Sequence, residues 1–232
     1  MTKTSIASAE IFEDPEHAAK YAEGPAKFVP GFSALHRMAA ILIRESAPTD
    51  AHVLVHGAGG GLELEAFATE NPEWRFVGVD PAKPMLDEAR LRLGDLSDRV
   101  ELHHGYADDA PDGPYDAATS FLTLHFLSAA ERRRTVSEIV CRLKPGAPFI
   151  AVHCSFPQDS ELRENWLKRH REFVVASGVD AEDAETACKA IAVDLEILDP
   201  VTDEKILRSA GLSDVTPFYA AFTWRGWFGR AS

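Results

Sequence analysis

The chain has 232 residues, of which 45% are hydrophobic and 26% charged, a composition that excludes collagenous, low-complexity and wholly disordered proteins. Its 37 acidic and 24 basic residues give a formal net charge of −13, which repels phosphate backbones and argues against a direct nucleic-acid partner. The sequence therefore predicts a folded, acidic, globular protein.

The cysteine and hydropathy patterns predict where the protein works. Cys141, Cys154 and Cys188 lie far apart and form neither a CxxC pair nor a disulfide framework, as is typical of a reducing cytoplasm. No apolar run approaches the ~18 residues of a membrane span, and the N-terminus lacks the basic start and apolar stretch of a signal peptide. We therefore expect a cytoplasmic protein without a membrane partner.

The N-terminal part of the chain is polar and weakly periodic up to about residue 30, and we interpret residues 1–30 as a lid segment. Apolar residues at positions 35, 38, 39, 42 and 43 then fall on one helical stripe, which predicts a helix from Phe32 to Glu45. Neither repeats nor linkers rich in proline, glycine or serine divide the chain, so we expect one domain over residues 1–232.

From His52 onward, short apolar runs alternate with amphipathic stretches, the pattern of a parallel sheet covered by helices. Helices with apolar residues at three- and four-residue spacing lie between the strands, and Ser128 with Glu131 predicts a capping box on the last of these helices. This order predicts an α/β fold with a Rossmann-like, mostly parallel sheet. The predicted strands span residues 53–56, 76–79, 100–104, 117–122 and 148–153.

After the fifth strand this alternation stops. Two consecutive helical stretches in residues 157–198 predict a helical cap inserted over the sheet. A short helix is predicted at 202–210, beginning at Thr202 and ending before Gly211. The apolar residues from Phe218 to Phe228 alternate as in paired strands without a crossover helix, so the predicted seven-stranded sheet ends antiparallel, with helices on both faces.

The strongest local signal is VLVHGAGGG at 53–61, where a buried strand turns sharply into a helix through Gly57, Gly59 and Gly61. With these glycines around Ala58, the backbone N–H groups and the helix start are open to an acidic or polar ligand. Tight packing alone also explains such a glycine turn, and that alternative stays open.

Asp80 adds a second element, because it ends the next predicted strand about twenty residues after the loop, where an acidic side chain binds the hydroxyls of a ribose. Asp80 before Pro81 also fits the start of a helix, which is the alternative interpretation. Together, the glycine loop and Asp80 predict a cofactor that contains a nucleoside.

The glycine spacing discriminates between such cofactors. A dinucleotide-binding loop has the pattern GxGxxG, but Leu62 stands at its third glycine position and the actual spacing is GxGxG. A dinucleotide fold also continues with parallel strands, unlike the predicted C-terminus. We therefore predict S-adenosylmethionine as the cofactor and keep an NAD-binding dehydrogenase as an alternative.

These features together resemble the class I S-adenosylmethionine-dependent methyltransferases over nearly the whole chain. The resemblance implies an enzyme in which Tyr106, Ala107 and Phe121 flank the adenine and the methionine part of the cofactor. Residues 29–42, residues 122–134 and the two-helix insert are similar, in order, to carboxy-S-adenosylmethionine synthases, which act on a cofactor that serves transfer-RNA modification. This narrower resemblance implies a synthase-like enzyme or carrier as an alternative, and a homodimer.

The chain departs from the synthase family at four positions. It has Phe32 in place of a tyrosine, Tyr106 in place of an acidic residue, Phe121 in place of an asparagine, and Lys189 in place of the arginine that holds the added carboxylate. Lysine lacks the bidentate fork of arginine, so these differences favour the ordinary methyl donor. In the wider family the position of Val55 is usually acidic, which implies that the amino group of the cofactor is held differently here.

Methyl transfer from a sulfonium requires alignment of the reactants and no metal, and the nine histidines form no HxxxH or HExxH pair, so no metal site is predicted. We expect Phe32 and Phe121 to face the sulfonium and Met85 to pack beside the adenine, with ordinary core packing as the alternative. His125 and His153, at the carboxyl edge of the sheet, are the candidate catalytic bases for an acceptor that must lose a proton.

The predicted cap and lid carry the residues expected to select the acceptor, which we predict to be a small molecule. Trp166, His170 and Lys189 are expected to line its cavity, with packing of the cap as the alternative for Trp166. Tyr21 and Arg37 are expected to close over the methionine end of the cofactor or to bind an acidic substrate. A catalytically silent cofactor-binding protein is a further alternative.

Overall fold

The computed structural model describes residues 10–232, with side chains from Phe12 onward. The strands are β1 (His52–His56), β2 (Arg75–Asp80), β3 (Val100–His104), β4 (Ala117–Phe121), β5 (Pro148–Cys154), β6 (Leu212–Ala221) and β7 (Trp224–Ala231). They form one sheet in the order β3-β2-β1-β4-β5-β7-β6. Strands β1 to β5 are parallel, whereas β7 lies antiparallel between β5 and β6. The predicted seven-stranded sheet with an antiparallel end is confirmed.

The helices cover both faces of this sheet. They are α1 (Pro15–Lys20), α2 (Pro25–Phe28), α3 (Phe32–Arg44), α4 (Leu62–Glu70), α5 (Lys83–Leu93), α6 (Ala129–Val140), α7 (Ser160–Ala176), α8 (Ala181–Val193) and α9 (Pro200–Ser209). Helix α3 agrees with its predicted range to one residue. Helices α7 and α8 are the two helices expected between residues 157 and 198, whose role as a cap stays a prediction.

Helix starts follow local hydrogen-bond chemistry. The capping box before α6 is confirmed: the Ser128 hydroxyl accepts from the Glu131 N–H, and the Glu131 carboxylate accepts from the Ser128 N–H at 3.0 Å. Helix α9 begins earlier than the predicted Thr202. The Asp199 carboxylate accepts the N–H groups of Val201 and Thr202, and Pro200 occupies the first turn, where its missing N–H costs nothing.

Strand β1 is the centre of the hydrophobic core because its side chains alternate between the two faces of the sheet. Val53 and Val55 belong to a cluster with residues of α3 and α4, whereas Leu54 belongs to a second cluster with residues of α6. All three side chains are buried. Burial on both faces accounts for the continuous apolar run of this strand in the sequence.

The strand order also determines where a ligand can bind. From β1 the chain builds the sheet outward through β2 and β3 on one side and through β4 and β5 on the other. Open α/β sheets bind ligands outside the carboxyl ends of their strands at such a reversal of strand order. The glycine loop follows β1, Asp80 ends β2 and Phe121 ends β4, so all three lie at this edge.

The aromatic C-terminal stretch pairs within the chain. Strand β7 is flanked by β5 on one side and by β6 on the other, so its backbone hydrogen bonds are satisfied inside one subunit. The homodimer therefore stays a prediction that this stretch does not explain. Within residues 10–232, no helix combines the length and the apolar character that crossing a membrane requires.

Candidate cofactor and active site

Two glycines of the loop after β1 are required by packing. Gly57 and Gly61 have φ angles of 71° and 80°, in the left-handed region that favours glycine. A Cβ on Gly57 would overlap the Thr123 side chain, and one on Gly61 would lie 3.0 Å from the Ala89 Cα of α5. The packing interpretation of the glycine turn is therefore correct for these two positions.

Gly59 and Gly60 lie in different surroundings. A Cβ on Gly59 would come no closer than 3.5 Å to the Met85 Cε, and one on Gly60 would face Met85 and Tyr21 at 3.7 and 3.8 Å. Among the described residues, the side chains nearest to these two Cβ positions are those of Met85 and Tyr21. Such a surface suits a ligand that approaches the loop once these two side chains move aside.

Asp80 joins the end of β2 to the glycine loop. Its Oδ2 accepts the Gly59 N–H at 2.8 Å, and its Oδ1 accepts the Ala82 N–H at 2.9 Å. Burial raises the pKa of Asp80, and the two N–H groups oppose that shift. The hydrogen bond from Ala82 supports the interpretation of Asp80 as part of a helix start. The hydrogen bond from Gly59 supports its role beside the glycine loop. An ionised carboxylate has about four acceptor positions, so two remain for the hydroxyls of a ribose.

A pocket opens beside the loop, between the carboxyl ends of β1 and β4 and the start of α3. Its free space is about 30 Å³, room for no more than a few water molecules. A nucleoside cofactor therefore enters only if a wall of the pocket moves. The lining residues are Tyr21, Phe32, His36, Gly57, Ala58, Gly59, Gly60, Leu62, Glu63, Phe121 and Leu122.

The wall of the pocket on the side of Asp80 comes from the N-terminal segment. Phe12, Ala18 and Tyr21 pack with Ala82 and Met85, which follow Asp80 in the chain. The pKa of Tyr21 is raised to about 12, first by burial and then by nearby carboxylate charges. Met85 thus faces the N-terminal segment, and the segment covers the side predicted to receive the adenine. Residues 1–9 of the predicted lid lie outside the described residues.

The opposite wall is aromatic and uncharged. The Phe32 and His36 rings meet edge to face with centroids 4.7 Å apart, and His36 stacks on Phe121 at 5.7 Å with an interplanar angle of 12°. Burial lowers the pKa of His36 to about 4, so its imidazole is neutral at pH 7. Sequence reasoning included Phe32 and Phe121 but missed His36. The sequence indicated His36 only by its four-residue spacing from Phe32, which puts both rings on one face of α3.

Glu63 is the second lining residue that sequence reasoning missed. It lies in the first turn of α4, with 6% of its surface exposed. Burial raises the pKa of Glu63 to about 8, opposed in part by the Thr119 hydroxyl. The only signal in the sequence was an acidic residue two positions after the last glycine of the loop.

Several residues predicted to bind the cofactor lie elsewhere. Tyr106 is 65% exposed, with its N–H donated to the Asp109 carboxylate, whereas the neighbouring Ala107 is buried. The Pro81 carbonyl faces the His104 ring nitrogen at 2.8 Å. Arg37 lies at the surface, 3.9 Å from the Glu70 carboxylate. Like Asp80 and Met85, these four predicted residues are not among those that line the described pocket, and their assignment as cofactor ligands stays a prediction.

The two candidate bases are buried in another polar network, outside the pocket lining. The His153 Nε2 lies 3.2 Å from the Asp203 carboxylate, which also binds the Arg132 guanidinium. The His125 Nδ1 accepts the Cys154 N–H at 3.2 Å. Burial lowers the pKa of both histidines. Burial acts to raise the pKa of Asp203, but His153 and Arg132 together hold it at about 2.

The residues predicted for the acceptor occupy separate environments. The guanidinium groups of Arg169 and Arg225 lie 4.7 and 5.5 Å from the centroid of the Trp166 ring. His170 is fully buried beside Trp224, with ring centroids 6.3 Å apart. Lys189 lies in an open cleft of about 320 Å³ between α7 and α8, with its Nζ 3.5 Å from the Glu185 carboxylate. Of the four acceptor candidates, only Tyr21 lines the pocket beside the glycine loop.

The described residues contain neither a disulfide nor a grouped set of metal ligands. Cys141, Cys154 and Cys188 are free thiols, and burial raises the pKa of Cys154 to about 12. Within residues 10–232 no three side chains of His, Cys, Asp or Glu are grouped as metal ligands.

Comparisons with known proteins agree with this fold. A family described as a methyltransferase domain matches residues 54–149. The chain is 22% identical to a carboxy-S-adenosyl-L-methionine synthase of Campylobacter lari, over 91% of this chain and 89% of that protein. It is 34% identical to a demethylmenaquinone methyltransferase of Symbiobacterium thermophilum, over 53% of this chain and 50% of that protein. The structure of human N-acetylserotonin methyltransferase in complex with SAM has the same fold, with a TM-score of 0.63 at 11% identity over 96% of this chain and 58% of that one.

Proposed function

We propose that this chain, which the match of residues 54–149 and the synthase relatives identify as a class I S-adenosylmethionine-dependent methyltransferase, uses S-adenosylmethionine to methylate a small-molecule acceptor. The observation that carries this proposal is the hydrogen bond from the Gly59 N–H to Asp80, because it puts a carboxylate suited to a ribose directly beside the open loop backbone. The aromatic wall of Phe32, His36 and Phe121 completes a pocket suited to a sulfonium.

The residues of the pocket orient and shield the reactants. When bound, the cofactor would supply a methyl group attached to a sulfonium sulfur. Once the methyl group is transferred, the sulfur is part of a neutral thioether, so this leaving group needs no protonation. The aromatic faces of Phe32 and Phe121 stabilise positive charge without donating a competing hydrogen bond. Asp80 holds the loop in place through Gly59, so the backbone that contacts the ligand is organised before the reaction.

For an acceptor hydroxyl we propose His36 as the group that receives the proton, on its position alone: it lines the pocket, whereas His125 and His153 lie outside the lining. Its pKa of about 4 leaves the imidazole neutral at pH 7 but makes it a weak base. The buried contact of His153 with Asp203 supports a structural role for that histidine. His125 and His153 therefore stay predictions with weaker support than His36.

A carboxy-S-adenosylmethionine synthase or carrier is the second candidate, because the similarity to such a synthase extends over 91% of the chain. The pocket favours the first candidate. Its described lining contains neither arginine nor lysine, so no positively charged side chain is available there to pair with an added carboxyl group on the ligand. Lys189, at the position of the family's arginine, lies in the surface cleft with Glu185.

We further propose that residues 1–30 act as a lid and residues 157–198 as the cap that selects the acceptor, within one domain. The Tyr21 ring, which lies 3.8 Å from the Cβ position of Gly60, supports the lid, and the packing of Trp166 and His170 of α7 against the core supports the cap. The net charge of −13 supports an acceptor other than a nucleic acid, and the three free thiols support a cytoplasmic location.

The test is incubation of the purified chain with methyl-labelled S-adenosylmethionine and a fractionated extract of small metabolites. We expect label in a small organic product, formed together with S-adenosylhomocysteine, and less label with the Asp80→Asn variant when the cofactor is below saturation. Binding of the cofactor without a labelled product would identify a silent binding protein. Carboxylated S-adenosylmethionine in a native mass spectrum of the purified protein would identify the synthase or carrier instead.

A further inference from the structure

Glu63 is a buried carboxylate without a counter-charge. Its Oε1 has no hydrogen-bond partner within the described part of the chain, and only 6% of the residue is exposed. Among the described residues, only burial and the Thr119 hydroxyl shift the pKa of Glu63, and no lysine, arginine or histidine contributes. A buried carboxyl oxygen without a hydrogen-bond partner is costly, so its presence in a pocket wall calls for a partner other than the described residues, for which a bound ligand is the candidate.

The position of Glu63 relates it to the end of β1. Thr119, its hydroxyl neighbour, lies on β4 in register with Val55 of β1. Beside Thr119, strand β1 therefore carries the uncharged Val55. The carboxyl group of Glu63 comes instead from the first turn of α4, which follows the glycine loop in the chain. The carboxylate and the Gly57–Gly60 backbone line the same pocket.

We propose that Glu63 binds the α-ammonium group of S-adenosylmethionine; the proposal rests on the cofactor assigned above. An ammonium offers three N–H donors, which match a carboxylate oxygen that lacks a partner. The sulfonium has no N–H group, and the aromatic rings of Phe32 and Phe121 suffice for it. Glu63 thus recognises the amino-acid end of the ligand, and Asp80 recognises the nucleoside end.

The test compares two ligands that differ in this group. S-Adenosylhomocysteine carries the ammonium, whereas 5′-methylthioadenosine shares its nucleoside and sulfur but lacks the amino-acid end. Calorimetry with Glu63→Gln is expected to give a dissociation constant for S-adenosylhomocysteine raised about 10- to 100-fold, as for the loss of a charged hydrogen bond, and an unchanged constant for 5′-methylthioadenosine. The matched control is Glu65→Gln, because Glu65 lies on the same helix, is partly exposed and pairs with Arg92.

Each outcome separates this inference from the proposed function. If the wild type binds S-adenosylhomocysteine and Glu63→Gln binds it equally well, or loses both ligands equally, the role of Glu63 is wrong while the cofactor assignment stands. If the wild type binds neither S-adenosylhomocysteine nor S-adenosylmethionine, the proposed function fails and this inference fails with it.

A second measurement needs no variant. At pH 7 an ammonium that pairs with Glu63 ionises the carboxyl, so binding of S-adenosylhomocysteine is expected to release up to about one proton, measured by calorimetry in buffers of different ionisation enthalpy. Tyr21, Asp80 and His36 also face this region. With a pKa of about 12, Tyr21 stays protonated at pH 7, and with a pKa of about 4, His36 stays neutral. Any proton released by Asp80 is measured with 5′-methylthioadenosine, which has the ribose but lacks the ammonium. Equal proton release with the two ligands would contradict the proposal.

Discussion

The carboxylate of Asp80 accepts the backbone N–H of Gly59 at 2.8 Å, although 21 residues separate them in the chain. This bond connects the ends of two neighbouring parallel strands. Loop geometry and the proposed sugar binding therefore depend on one carboxylate.

The first prediction concerns Asp80→Asn. The amide removes the charge and one acceptor oxygen, so the affinity for both S-adenosylhomocysteine and 5′-methylthioadenosine is expected to fall about 10- to 100-fold, because both ligands contain the ribose. Isothermal calorimetry measures the two constants. Asp87→Asn on α5 is the control, since Asp87 is an exposed partner of Lys83 and Arg90. Unchanged affinity for both ligands would exclude Asp80 as the sugar ligand.

The second prediction concerns Tyr21→Ala. Tyr21 lies against the backbone of Gly60, and the free space beside it is about 30 Å³, so the ring must leave before a nucleoside enters. Removal of the ring is expected to speed the association of S-adenosylhomocysteine about tenfold, since less of the protein is then in a closed form. Stopped-flow fluorescence measures the rate. Phe222→Ala, at the exposed turn between β6 and β7, should leave it unchanged; an equal or slower rate for Tyr21→Ala would contradict the closed wall.

The third prediction is a dependence of stability on pH that originates from Glu63. Burial raises its pKa from 4.5 to about 8, so the folded state holds a proton that the unfolded state has already released between these values. The stability linked to this proton is fully present below pH 4.5 and is lost as the pH rises through about 8. The free energy of unfolding of the wild type should therefore fall by a few kcal/mol relative to Glu63→Gln between pH 5 and pH 8.

Urea denaturation at the two pH values measures this difference. Glu65→Gln should follow the wild type, because its carboxylate is partly exposed and paired with Arg92. Parallel curves for the wild type and Glu63→Gln would mean that Glu63 ionises equally in the folded and unfolded states.

The fourth prediction concerns the buried network of Arg132, His153 and Asp203. In Asp203→Asn the Arg132 guanidinium stays buried without its counter-charge, which is expected to destabilise the fold by about 3 to 5 kcal/mol. Thermal unfolding measures the loss, with the exposed Glu204→Gln on the same helix as the control. At a temperature where the variant is folded, its affinity for S-adenosylhomocysteine should equal that of the wild type, because none of the three residues lines the pocket.

Patterns within a few residues were sufficient to predict most of the fold. The apolar run of β1 and the stripe of α3 report burial on two faces and on one face, and both elements appear where those patterns lie. The glycine turn and Asp80 were also recognisable, because each residue type suits a local structural need. Glycine suits the left-handed φ at position 57, and an aspartate provides a hydrogen-bond acceptor at the end of β2.

Contacts between distant parts of the chain decided the rest. No local pattern reports that Glu63 lies beside Thr119, that Tyr21 covers Gly60, or that His36 rather than His125 faces the pocket. Periodicity tells which face of an element is buried but not which partner it meets, because that partner depends on how strands and helices separated by tens of residues pack together. The sequence alone thus determined the scaffold and the class of cofactor, whereas packing determined which side chains line the pocket proposed for that cofactor.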